Sequence, residues 1–95
     1  MVITDEPGIY EEGFVGIRIE NELVCVEAGE SEYGRYLKFE PLMYVPIALS
    51  CALVDQLTLE EKEWINGYHA AVLEKLSPLL KEDEVQWLTE KCAAI

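Results

Sequence analysis

Basic residues are few in this chain: seven Lys and Arg stand against nineteen Asp and Glu, a formal net charge of −12 over 95 residues. Neutralising nucleic-acid phosphates or an anionic membrane surface takes clustered Lys and Arg. No such cluster occurs, which excludes nucleic acid and membrane as partners. Long apolar runs are missing too. The longest, Leu42 to Leu53, is interrupted by Pro46 and falls short of the roughly 20 residues that a membrane span needs. Cysteine is scarce: Cys25, Cys51 and Cys92 form no CxxC pair and leave one thiol over in any disulfide scheme. With no signal peptide in view, reduced thiols and a cytoplasmic location are expected. Histidine is nearly absent. His69 is the only one, has no partner at metal-ligand spacing, and reads as a helix histidine at a packing surface.

What remains is a composition that packs. Hydrophobic residues make up 51% of the chain and Gly and Pro are ordinary in number, which is not the signature of disorder. Ninety-five residues amount to one domain at most, or to a portion of a larger one. A chain of this size buries only about 60–65% of its unfolded surface, which leaves a thin margin of stability. The acids fall in short clusters, such as Glu11-Glu12, Glu60-Glu61 and Glu82-Asp83-Glu84. These suit solvated surface and helix N-termini.

Strands and turns are expected in the first half. Met1 to Thr4 is a short β-prone run that stops at Glu6-Pro7-Gly8, where proline extends the residue before it and glycine permits a turn. Phe14 to Ile19 and Leu23 to Val26 are β-branched runs that predict a hairpin about Asn21-Glu22. Ala28 to Gly34, small and polar, reads as a loop. Lys38 to Glu40 and Met43 to Val45 read as extended pieces kinked by Pro41 and ended by Pro46, suited to edges because each proline lacks a ladder donor. Ile47 to Asp55 fits either a buried strand or a helix.

The second half switches to helix. Thr58-Leu59-Glu60-Glu61 is a capping box, and Trp64, Ile65, Tyr68, Val72 and Leu76 recur at helical spacing. Ser77-Pro78 ends or restarts that helix, and a last helix is expected over about Glu84 to Cys92. The fold class is therefore α+β.

Two segments carry candidate chemistry: Thr4-Asp5-Glu6-Pro7-Gly8-Ile9-Tyr10 and Gly16-Ile17-Arg18-Ile19-Glu20-Asn21. In the second, strand alternation puts Arg18 and Glu20 on one face, toward a cleft, and Ile17 and Ile19 on the other, toward a core. An Arg–Glu pair of this spacing is also what ordinary surface charge looks like.

These segments resemble the Glu-Pro-Gly and Arg-Ile-Glu signatures of the pita-bread metallopeptidases, family M24, which includes aminopeptidase P, the Xaa-Pro aminopeptidase. Phe39-Glu40-Pro41-Leu42 to Val45-Pro46-Ile47, and Leu57-Thr58 with Trp64-Ile65-Asn66-Gly67-Tyr68-His69, resemble the C-terminal region of the larger aminopeptidase P members. The similarity runs in order along nearly the whole chain.

The resemblance implies a fold and a division: residues 1–37 as the last strands of a pita-bread sheet, and residues 38–95 as a C-terminal appendage of short strands and two to three helices. It implies that Glu6 ligates one metal of a dinuclear site and that Glu20 bridges both. Carboxylates suit this, since one group offers two hard oxygens to two divalent ions. Tyr10 and Arg18 match active-site residues that hydrogen-bond around the ligands. The implied cofactors are two divalent metal ions, Mn or Zn. The implied partners are the remainder of the parent enzyme, a peptide with proline at its second position, and a homodimer mate. The family site also needs two aspartates and a histidine that this sequence does not contain, and His69 corresponds to none of them. The chain by itself is therefore expected to be inactive and to bind metal weakly. A non-catalytic dimerisation or interaction module is the alternative.

Overall fold

The computed structural model describes all 95 residues, and the chain divides into two compact units, Met1–Met43 and Tyr44–Ile95. The first is all β. Strands β1 (Val2–Asp5), β4 (Asn21–Ser31) and β5 (Gly34–Pro41) form an antiparallel sheet in the order β1-β4-β5. Strands β2 (Gly8–Glu11) and β3 (Val15–Arg18) form a separate two-stranded ribbon. The fold class is α+β, as the sequence indicates.

The hairpins close elsewhere than the Asn21-Glu22 turn would have it. The ribbon turns at Glu12-Gly13, where the Phe14 amide donates to the Glu11 carbonyl at 3.0 Å and Gly13 takes φ 71°. A positive φ at this position is what glycine adopts without steric cost. Asn21 instead opens β4 opposite Asp5. Its side-chain carbonyl accepts from the Met43 amide at 3.3 Å, and its Nδ2 donates to the Met43 carbonyl at 3.4 Å. It is a splice between chain segments, not a turn residue.

The Ala28–Gly34 loop is likewise mostly strand. Gly29, Glu30 and Ser31 pair with Tyr36, Arg35 and Gly34, with a bulge between Glu27 and Gly29. Only Glu32-Tyr33 remains as the turn, held by the Tyr33 amide donating to Ser31 Oγ at 3.1 Å. Lys38–Glu40 lies in β5, an edge strand as its neighbouring proline requires. Met43–Val45 is not a strand.

The second unit is helical. Helix α1 (Leu59–Leu76) starts on the capping box: the Glu61 amide donates to Thr58 Oγ1 and the Thr58 amide donates to Glu61 Oε1, both at 3.1 Å. Ser77–Leu79 makes one 3-10 turn, and helix α2 runs from Glu82 to Lys91. Between Ile47 and Asp55 the chain is neither strand nor α-helix, apart from a 3-10 turn that begins at Val54.

Tyr68, Val72, Leu88 and Cys92 form the core, with Tyr44, Ile47 and Leu76 packed against it. Tyr68 and Val72 are one helical turn apart, as are Leu88 and Cys92, so each helix presents one ridge. Trp64 lies at the rim, 55% exposed, with its ring stacked on Tyr68 at 5.6 Å.

Tyr68 and His69 also hold the segment before the helices. The Tyr68 hydroxyl donates to the Val45 carbonyl at 2.8 Å and accepts from the Val45 amide at 3.1 Å. The Ile47 amide donates to His69 Nε2 at 3.0 Å. Two helix side chains thus satisfy alternate residues of an extended strap, as a neighbouring strand would.

Candidate functional site

The register of the β2–β3 ribbon decides which side chains meet. Gly8 pairs with Arg18, Ile9 with Ile17 and Tyr10 with Gly16. The Ile19 amide donates to the Pro7 carbonyl at 3.1 Å, which carries the ladder one pair further. The next position in that register sets Glu6 opposite Glu20. Side chains alternate along each strand, so Glu6, Gly8 and Tyr10 share a face with Gly16, Arg18 and Glu20. The four candidate residues come from two short segments and lie on one side of one ribbon.

Arg18 is their meeting point. Its Nη2 lies 3.1 Å from Glu20 Oε1, with both side chains about half exposed. The guanidinium is held above its ordinary range by the Glu20 carboxylate first, then by a hydrogen bond with Tyr10, with a smaller contribution from Glu6. An exposed ion pair of this kind adds little stability. Its consequence is geometric: it fixes the direction of the Glu20 carboxylate.

The opposite face departs from expectation. Ile17 and Ile19 are 56% and 57% exposed, and Ile9, paired with Ile17, is 68% exposed. The alternation stands, but no core covers these isoleucines in this chain.

Glu6 and Glu20 supply the hard oxygen donors that divalent cations prefer. No group of three or more His, Cys, Asp or Glu side chains stands together to hold a metal ion. The donor set fits a divalent metal in kind and falls short in number.

His69 is fully buried in α1, and its Nε2 is already engaged by Ile47. Burial lowers its pKa below the usual 6.5, and its Nδ1 has no hydrogen-bond partner. It is a core histidine of the second unit.

Sequence reasoning overlooked the two glycines that interleave with Tyr10 and Arg18 on the ribbon face. The signal for them was their spacing, two residues from Tyr10 in one strand and two from Arg18 in the other. It also overlooked an open groove of about 520 Å³ in the second unit, lined by Val45, Ile47, Leu49, Trp87, Ala93 and Ile95 among others.

The sequence profile of the C-terminal region of peptidase M24 matches residues 35–95. Aminopeptidase P1 of Arabidopsis thaliana is 41% identical over 92 residues, covering 93% of this chain and 14% of the relative. Protein pid-5 of Caenorhabditis elegans is 41% identical over 99 residues, covering 99% of this chain and 9% of the relative. Among solved structures, the X-prolyl aminopeptidase of C. elegans, described as a cytosolic enzyme with a di-nuclear active site, superposes with a TM-score of 0.86 at 42% identity. That match covers 99% of this chain and 16% of the neighbour. The chain thus spans less than a fifth of the length of each of these relatives.

Proposed function

The chain belongs to the peptidase M24 family, in that family's C-terminal region, and from this premise we propose that it forms one wall of the dinuclear metal site of an Xaa-Pro aminopeptidase. The observation that carries the reading is the shared ribbon face of Glu6, Tyr10, Arg18 and Glu20, convergent on Arg18. Glu6 would hold one of the two divalent ions, Mn or Zn, and Glu20 would offer its oxygens to both. When bound, such ions polarise a carbonyl and lower the pKa of water.

The remaining steps belong to this chain's side chains. Arg18 clamps Glu20 and sets the direction in which its carboxylate points. Tyr10 brings a phenol to Arg18, a group able to donate or accept a proton at its Oη. The other ligands, and the contacts that select proline at the second position, come from the rest of the enzyme. The division of sheet strands from appendage belongs to the same reading, with β5 (Gly34–Pro41) running across residues 37 and 38 and the compact units parting after Met43. So does a cytoplasmic location, which the cytosolic C. elegans neighbour supports and with which the lack of any helix long and apolar enough to cross a membrane agrees.

Two carboxylates do not complete a dinuclear set, so the 95-residue chain binds metal weakly and has no peptidase activity alone. Calorimetric titration with Mn²⁺, repeated on a Glu6→Ala/Glu20→Ala double variant, tests this. Weak binding with no hydrolysis of an Xaa-Pro peptide is the expected result. Tight binding that the double variant loses would overturn the incomplete-wall reading. In the full-length enzyme, Arg18→Ala is expected to lower metal affinity or turnover by about 10–100-fold.

A second reading rests on the groove of the Tyr44–Ile95 unit and its half-exposed Trp87. That unit contains none of the four site residues. Its role is then contact, with a second copy forming a homodimer. A sedimentation mass that rises toward twice the chain mass with concentration supports this, and a constant monomer mass at high concentration excludes it.

A further inference from the structure

Tyr10 needs a place to lie. It stands directly opposite Gly16, diagonal to Arg18, and one same-face step from Gly8. A Cβ built on Gly16 would meet Tyr10 Cδ1 at 3.2 Å and Cε1 at 3.7 Å. A Cβ on Gly8 would meet Tyr10 Oη at 2.8 Å and Cζ at 3.0 Å. The ring therefore spans both glycines lengthwise, its root over Gly16 and its hydroxyl over Gly8. Gly8 is the cross-strand partner of Arg18, so a phenol that ends over Gly8 ends beside the guanidinium. A side-chain hydrogen bond joins Tyr10 to Arg18.

We infer that Gly8 and Gly16 are positioning residues: their missing side chains form the trough that lays the Tyr10 ring along the ribbon and delivers its hydroxyl to Arg18. The assignment does not follow from backbone conformation, since neither glycine has a positive φ. Any residue could adopt their backbone as a strand, and only the ring forbids a side chain at Gly16. At Gly8 the Ile17 carbonyl, also 2.8 Å from a built Cβ, forbids one as well. A methyl at Gly16 would tilt the ring off the ribbon by a few tenths of an ångström at its root. The displacement is larger at the far end, where the hydroxyl meets Arg18.

The consequence for catalysis rests on the reading of Tyr10 and Arg18 as site residues. The geometric claim does not, and the two are tested apart. In NMR spectra of the 95-residue chain, the Hα protons of Gly8 and Gly16 lie within reach of the Tyr10 ring current and are expected away from ordinary glycine values. Tyr10→Leu is expected to return both to normal. Gly8→Ala can break the ribbon outright, because it strikes backbone, so Gly16→Ala is the decisive variant. It is expected to keep the Ile9–Ile17 cross-strand contacts and to weaken the contact between the Tyr10 ring and the Arg18 side chain.

A ring contact of undiminished strength in Gly16→Ala would overturn the proposal, as would glycine Hα shifts indifferent to Tyr10→Leu. In the full-length enzyme, Gly16→Ala is expected to reproduce the pH–rate profile of Tyr10→Phe, which a merely structural glycine would not do. Normal ring shifts together with full Xaa-Pro hydrolysis by Tyr10→Phe would sink the functional reading and leave the positioning intact.

Discussion

His69 is the one residue whose protonation the fold must resist. Its Nε2 accepts from the Ile47 amide, so the neutral ring carries its proton on Nδ1, and a second proton would set two donors face to face. Burial already lowers its pKa from 6.5. The sign follows by linkage: above about 6.5 both folded and unfolded chains hold it neutral, and below that the unfolded chain takes the proton first. Stability is therefore expected to fall as pH drops from about 6.5 toward 5, before carboxylates begin to titrate. Urea midpoints at pH 7.5 and 5.5 measure it, and His69→Gln is expected to flatten the difference. An equal pH dependence in the variant would assign the effect elsewhere.

Its neighbour Tyr68 satisfies both backbone groups of Val45. Tyr68→Phe removes both hydrogen bonds to Val45, which is exposed enough for water to replace them in part, at an expected cost of about 1 kcal/mol. The same denaturant curves report it. The thiols differ too. Cys92 is buried and its pKa is raised by that burial, whereas Cys51 is exposed. Alkylation at neutral pH should mark Cys51 first and Cys92 last, since attack needs an accessible thiolate.

Among the elements, α1 depends most visibly on a local device. Thr58→Ala removes the acceptor of the Glu61 amide and is expected to destabilise the Tyr44–Ile95 unit by about 1 kcal/mol, read as a lower denaturation midpoint. Thr58→Ser should restore most of it. This helix start was legible in the sequence because every partner lies within four residues. The Pro78 break and the approximate span of α2 were legible for the same reason.

The β half was less so. Asn21 resembles a turn residue by type, yet its side chain binds Met43, 22 positions away. Ala28–Ser31 lacks apolar alternation, yet Gly29–Ser31 pairs with Gly34–Tyr36 across a two-residue turn. Neither relation leaves a local trace. In the candidate site, the types and spacing of Glu6, Tyr10, Arg18 and Glu20 were legible, because short strands fix which residues share a face. Their convergence was not, because it depends on the Gly13 turn setting the register between two strands. Periodicity also says which residues face the same way and not whether anything covers them, and in this chain Ile17 and Ile19 lie bare.

For the chain as a whole, burial is unevenly shared. Every buried residue, namely Tyr68, His69, Val72, Leu88 and Cys92, lies in Tyr44–Ile95, and none lies in Met1–Met43. The ribbon turns Ile9, Ile17 and Ile19 to solvent beside Phe14, itself 82% exposed. Local opening costs least where few apolar contacts hold the backbone. Amide exchange of this chain is therefore expected to be fastest in β2 and β3 and slowest in α1 around Tyr68–Val72. Leu88→Ala, which empties a core position, is expected to cost about 2–5 kcal/mol, enough to unfold the helical unit of so small a chain. The exchange pattern of the first unit should scarcely change. If the ribbon amides were as protected as those of α1, the ribbon would be stable with its isoleucines bare. If they exchange freely, the bare isoleucines are what limits the ribbon, and covering them is what would keep the face of Glu6, Tyr10, Arg18 and Glu20 closed.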